Sequence, residues 1–137
     1  MIQLKRAYEP PAESDGMRVL IDRLWPRGLR KERARIDAWL KDIAPSDELR
    51  TWFGHDPSRF REFRRRYGRE LRSSRARPLV EDLARRARAL TVTLVYAARD
   101  EDHNNAVVLA EELKRRGARR RPRTQSKPRR VRGPVRR

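Results

Sequence analysis

Thr91-Val92-Thr93-Leu94-Val95-Tyr96-Ala97-Ala98 is the stretch that decides the fold. Four of these eight residues are β-branched, and the run is too short to form a helix of its own, so it reads as a buried central strand. Arg99-Asp100-Glu101-Asp102-His103-Asn104-Asn105 follows as a polar loop. Ala106, Val107, Leu109, Ala110 and Leu113 then mark the apolar face of a final helix, with Lys114, Arg115 and Arg116 complementing its carboxyl end before Gly117. Upstream, Met17-Arg18-Val19-Leu20-Ile21 is a second dense apolar run, stopped by Asp22-Arg23-Leu24-Trp25-Pro26-Arg27-Gly28. Ile2-Gln3-Leu4-Lys5-Arg6 alternates apolar with polar as a half-buried strand does, and Pro10-Pro11 with Ser14-Asp15-Gly16 marks the loop after it.

Between the second and third strands the pattern is helical. Ile36, Trp39, Leu40 and Ile43 recur at i, i+3, i+4, i+7, which predicts an amphipathic helix ended by Ala44-Pro45. Ser46 stands as a cap before Asp47 and Glu48, and Gly54 closes that short helix. Asp56-Pro57 is a second start signal, after which Phe60, Phe63, Tyr67 and Leu71 form one stripe. Pro78 opens another helix, with Leu79, Leu83, Ala87 and Leu90 on one face. Strand, loop and helix succeed one another at both ends of the chain, so the expected architecture is a small α/β fold: a mostly parallel sheet of about three strands flanked by helices.

The 137 residues leave room for one domain at the usual ~150 residues each. The chain has no cysteine, which excludes disulfide scaffolds, thiolate zinc sites, iron–sulfur clusters and cysteine nucleophiles together. No secretion signal or long apolar span is present, and the expected location is the cytoplasm, with no membrane contact. The formal charge is +18, but residues 114–137 hold 13 Lys and Arg and no acid, leaving 24 bases against 19 acids in residues 1–113. After Gly117 only Ala118, Val131 and Val135 are apolar, so residues 118–137 read as a disordered basic tail beside a domain at 1–117. Such a tail suits nucleic acid or another polyanion. Equally, arginine outnumbers lysine 32 to 5, a skew that base composition alone can impose on a passive extension.

Arg18-Val19-Leu20-Ile21-Asp22-Arg23-Leu24-Trp25-Pro26-Arg27-Gly28, Trp39-Leu40-Lys41 with Ala44-Pro45-Ser46, and Tyr96-Ala97-Ala98-Arg99-Asp100 with His103-Asn104-Asn105-Ala106 together resemble the YeaO-like branch of the DUF488 family. The resemblance covers roughly residues 2–116 and implies a Rossmann-like α/β domain of unassigned activity. Other branches carry cysteine in their closing motifs; thiol chemistry proposed there does not transfer to this chain. The segment after Gly117 falls beyond the pattern.

In parallel α/β sheets ligands bind beyond the carboxyl ends of the strands. Two loops qualify. The first offers Asp22, Arg23, Trp25, Arg27 and Lys31; the second offers Tyr96, Arg99, Asp100, His103, Asn104 and Asn105. If their strands are neighbours, the loops meet, and Arg23, Arg27 and Lys31 would clamp a phosphate or carboxylate bidentately. Asp100 and His103 would be the acid or base pair of an enzyme. Each residue also has a plainer role: Arg23 and Arg27 could pair with Asp22, Asp47 or Asp56, Trp25 and Tyr96 could be packing, and His55 reads as structural. No nucleotide fingerprint is present, and neither a metal nor a cofactor is expected.

Overall fold

A computed structural model describes the backbone of residues 1–125, with side chains described to residue 117. Its centre is the strand Val92–Tyr96, β4, every residue of which is buried. The other strands are β1 (Ile2–Arg6), β2 (Met17–Leu20) and β3 (Ala38–Trp39), in the spatial order β1-β4-β2-β3 and all parallel. Leu4 pairs with Leu94 on one side of β4, and Val19 pairs with the same residue on the other. A strand paired on both edges and covered on both faces calls for a largely apolar sequence, which is why Val92-Thr93-Leu94-Val95-Tyr96 does not alternate; its one buried polar side chain, Thr93, donates its hydroxyl to Asp15 O at 2.7 Å.

The two faces are unequal. Val19, Ile21, Val92, Leu94 and Tyr96 join the large core built with helices α2 (Asp47–Phe53), α3 (Phe60–Leu71), α4 (Arg77–Ala89) and α5 (Asn105–Gln125). Leu20 and Val95 face a smaller cluster with Ala7, covered by Trp25, Leu29, Ile36 and Trp39. Within the large core Phe63 stacks on Phe53 at 4.3 Å, and the buried Tyr67 hydroxyl donates to Ile43 O at 2.6 Å. On α4 the buried residues are Val80, Leu83 and Ala84, while Leu90, expected on that face, is exposed.

Residues 31–43 depart from expectation. The helix there is only α1 (Lys31–Ala34), ended by Arg35 in the left-handed conformation. Ala38–Trp39 then joins the sheet as a fourth strand, and Lys41–Ile43 is a 3-10 turn. The backbone is captured by the free edge of β2: Asp37 N–H donates to Arg18 O and Leu40 N–H to Leu20 O. The Trp39 indole N–H donates to Asp22 O at 2.7 Å, and its ring meets Trp25 edge-on at 5.5 Å. These tertiary contacts override a helix-compatible spacing.

At the amino-terminal end of the sheet a buried ionic knot joins β1, β2 and the turn between them. Asp15 is 3% exposed and accepts from Arg18 at 2.7 Å, from Lys5 at 3.1 Å and from Ala12 N–H at 3.0 Å. Arg18, also 3% exposed, donates a second bond to Ala34 O at 3.0 Å. The last helix, expected to close at Gly117, continues to Gln125. Most of the proposed tail, residues 126–137, lies outside the described residues.

Candidate functional site

The carboxyl ends of β2 and β4 are neighbours, so the loops that follow them meet. They wall a cavity of about 720 Å³ whose lining includes Asp22, Arg23, Trp25, Arg27, Arg99, Asp100, Asn104 and Asn105. Helix α2 and the turn after it close the opposite wall with Arg50, Phe53 and His55, and Phe63 of α3 adds an aromatic surface. Two distant sequence motifs therefore share one crevice.

The loops are bolted together by amides. Asn105 Nδ2 donates to Asp22 Oδ1 at 2.9 Å and to Ile21 O at 3.3 Å, and Ala97 N–H donates to Asp22 Oδ2 at 2.9 Å. Asn104, buried, caps α5: its side chain accepts from Val107 N–H at 3.0 Å and donates to Asp100 O at 2.8 Å. The Arg6 guanidinium, from β1, donates to Ala98 O and Ala97 O and fixes the exit of β4.

Asp22 is thus a carboxyl set into the wall of the cavity. Burial pushes its pKa above the ordinary aspartate value, against the opposing pull of the Asn105 amide, the Ala97 N–H and the His55 charge. The sign follows directly: between the unfolded value and the raised folded one, the native state holds a proton the unfolded chain has released, so this group's contribution to stability falls as pH rises through that window. Carboxyl-carbon NMR of the folded protein should show Asp22 titrating above the exposed aspartates. A midpoint at or below theirs would mean the loop is open to water.

Asp100 shows the opposite behaviour. Its Oδ1 accepts from Asp102 N–H and His103 N–H, and its Oδ2 lies 2.9 Å from His103 Nδ1. The Asp102 bond first, then the His103 side chain, hold its pKa below the usual range. His103 packs edge-on against Phe60 at 5.1 Å and is not among the lining residues. The expected acid–base pair exists as a contact, but it orders the loop leading into α5, and only its Asp100 member reaches the cavity.

The remaining candidates divide. Tyr96 is buried in the large core, and its hydroxyl's pKa is raised by that burial. Lys31 sits away from the cavity, on the exposed surface of α1 beside Arg30, Glu32 and Arg33. Trp25 lines the cavity while also packing on Trp39 and donating its indole N–H to Leu29 O at 2.6 Å, so the packing role foreseen for it is real. Arg23 Nε lies 3.5 Å from Asp47 Oδ1, the plainer pairing. That nitrogen is nonetheless buried and has no hydrogen bond among the described residues. Arg50 shares the same Asp47 oxygen at 3.4 Å, whereas Arg27 and Arg99 have no acidic partner among the described residues. His55, read as structural, lines the cavity in a left-handed conformation (φ 57°) directly after the left-handed Gly54. Arg50 carried no signal of its own; it reaches the cavity only because α2 folds over the strand ends.

Taken together, the site defines a parallel-sheet α/β protein with an arginine-lined crevice at the strand ends. The chain belongs to the DUF488 family: residues 1–130 match the family described as the inactive DUF488-N3 subclade. The chain is 45% identical over 112 residues to an uncharacterized protein of Mycobacterium tuberculosis and to one of Mycobacterium bovis, in each case 82% of this chain and 92% of the relative. It is 42% identical over 113 residues to the uncharacterized protein YeaO of Escherichia coli, 82% of this chain and 96% of that one. No solved structure matches it. The family match runs to residue 130, so the basic segment after Gly117 does not lie wholly beyond the family pattern as expected.

Proposed function

We propose that the crevice binds a small anionic ligand bearing a phosphate or carboxylate group, and that it does so without turning the ligand over. The observation that carries this reading is the convergence of Arg23, Arg27, Arg50 and Arg99 on one cavity: Arg23 and Arg50 share Asp47, Arg27 and Arg99 have no acidic partner among the described residues, and the lining carboxyl groups Asp22 and Asp100 are already engaged by N–H donors. Guanidinium groups in a partly water-excluded crevice hold planar oxyanions far better than ammonium groups do. The Nε of Arg23 is buried 3.5 Å from Asp47 Oδ1 without a hydrogen bond among the described residues, so this guanidinium is not fully satisfied by its acid. Binding without catalysis is supported by the subclade's description as inactive and by the loop-ordering role of the Asp100–His103 contact.

The test is a thermal-melting screen with phosphorylated and carboxylated metabolites. One of them should raise the melting temperature by several degrees, since ligand at a hundred times its Kd adds about 2.7 kcal/mol to the folded state. The shift should vanish in Arg27→Ala combined with Arg99→Ala. An undiminished shift in both Arg23→Ala and Arg27→Ala would overturn the clamp.

This reading is of a cytoplasmic protein, and no helix among the described residues is long and apolar enough to cross a membrane. A second reading, nucleic-acid association through residues 118–137, is supported by the 13 bases and no acids from 114 onward.

A further inference from the structure

The helix that lends Phe63 to the cavity presents a very different outer surface. Residues 59–77 contain nine arginines and two glutamates, a concentration hidden when charge is summed over the whole domain. On α3 the apolar stripe Phe60, Phe63, Tyr67 and Leu71 is buried. Arg61, Arg65 and Arg69 fall at i, i+4 and i+8 on the opposite side, all exposed, with Arg72 continuing the line one turn later. At 1.5 Å per residue, successive arginines are about 6 Å apart along a straight rod.

Half of this ladder is neutralised. Glu62 holds Arg65 at 2.5 Å and also Arg66 at 2.7 Å, and Arg72 donates to the buried carboxylate of Glu112 at 3.2 Å. Arg61 and Arg69 have no acidic partner among the described residues. Like charges four residues apart repel and weaken a helix, and no ion pair among the described residues accounts for Arg61 and Arg69. The stripe contains no apolar residue that could enter a membrane and no aromatic on which an unpaired base could stack. Helix α5 is held against α3 by Arg64–Glu111 and Arg72–Glu112, and past Glu112 its sequence has no acid. Evenly spaced guanidinium groups on a rigid rod, adjoining a further basic segment, match a regular array of phosphates.

We infer that the outer face of α3, centred on Arg61, Arg65 and Arg69, is a docking surface for the sugar–phosphate backbone of duplex nucleic acid, independent of base sequence. Each phosphate contact releases a counterion and adds about 0.9 to the slope of log affinity against log salt. This surface is distinct from the crevice, and it belongs to the folded domain and not to the tail alone.

Binding of the full chain to fluorescent 20-base-pair DNA and RNA duplexes, followed over a salt series, tests it. Arg61→Gln/Arg65→Gln/Arg69→Gln should flatten the salt slope by about 2.7 and weaken binding at least tenfold at low salt. The pair Arg61→Gln/Arg69→Gln, which disturbs no ion pair among the described residues, should flatten it by about 1.8 and melt no lower than the parent. Arg30→Gln/Arg33→Gln/Arg35→Gln removes the same charge on and beside α1 and should leave the slope unchanged. The DNA and RNA arms identify the duplex bound. Failure of the parent to bind either duplex, a parental slope in the α3 variants, or an equal loss in the α1 control would each overturn the inference. None of these results depends on whether a small anion occupies the crevice.

Discussion

Gly16→Ala should unfold the protein or leave it barely stable. Gly16 lies at φ 63° and ψ −129°, a conformation costing a side-chain-bearing residue about 1–3 kcal/mol. The greater obstacle is space. A Cβ on Gly16 would lie 2.3 Å from Thr91 O and 3.0 Å from Thr91 Cβ. That carbonyl accepts from Met17 N–H at 2.9 Å, the bond that starts the β2–β4 pairing, so relief requires moving β4 itself. Forcing extra atoms into a packed site costs about 1–3 kcal/mol more. Against the roughly 5–15 kcal/mol available to an ordinary domain, the total is a large share. Urea denaturation should show a collapse of the midpoint, and a midpoint within experimental error of the parent would mean that the turn has an alternative path.

Asp15→Ala, one residue earlier, should cost about 3–5 kcal/mol by a different mechanism. It strands the Arg18 guanidinium, whose Nη2 already has no hydrogen bond among the described residues, in an interior with no counter-charge except at a distance. The diagnostic comparison is Asp15→Leu with Arg18→Met, which removes both charges and should recover most of the loss; equal damage in single and double variants would assign the effect to packing instead. Burial raises the Asp15 pKa, but the Ala12 N–H, Lys5 and Arg18 outweigh it and set the folded value below the unfolded one. Its stabilising contribution is therefore present above the unfolded pKa and is lost as pH falls through the folded value. That is the reverse of the dependence at Asp22. Both variants act at the amino-terminal end of the sheet, while the crevice is at the carboxyl-terminal end. A destabilised Asp15→Ala protein that still folds should keep its ligand-induced melting shift, which separates damage to the scaffold from damage to the site.

How far the sequence announces this structure depends on where the information resides. Val92–Tyr96 is legible because a strand buried on all sides is largely apolar and β-branched, and Ser46 and Asp56 are legible because each caps its own helix or turn by a local bond. Ala38–Trp39 is illegible for the converse reason: two residues have no periodicity, and the bonds that hold them come from Arg18 and Leu20, some twenty positions away. Asp22, Arg23, Trp25, Arg27, Asp100, Asn104 and Asn105 line one cavity, a convergence legible in the sequence because loops after adjacent parallel strands must meet. His103 lies outside the lining, packed edge-on against Phe60 with Nδ1 on Asp100, and that placement is illegible because the same carboxylate that can orient a base also orders a turn. His55 and Arg50 belong to an element whose approach to the strand ends is a tertiary fact.

The two rims of the sheet have a consequence for the molecule in a crowded solution. An open strand edge is a template on which another chain can polymerise. On one rim β3 offers only two residues, too few to nucleate such pairing. On the other, β1 ends in Lys5 and Arg6, whose side chains are bound to Asp15 and to the carbonyls of Ala97 and Ala98. An incoming strand would have to settle beside cations already committed to holding the protein together, so the pattern guards against fibril growth without sacrificing any residue of the crevice.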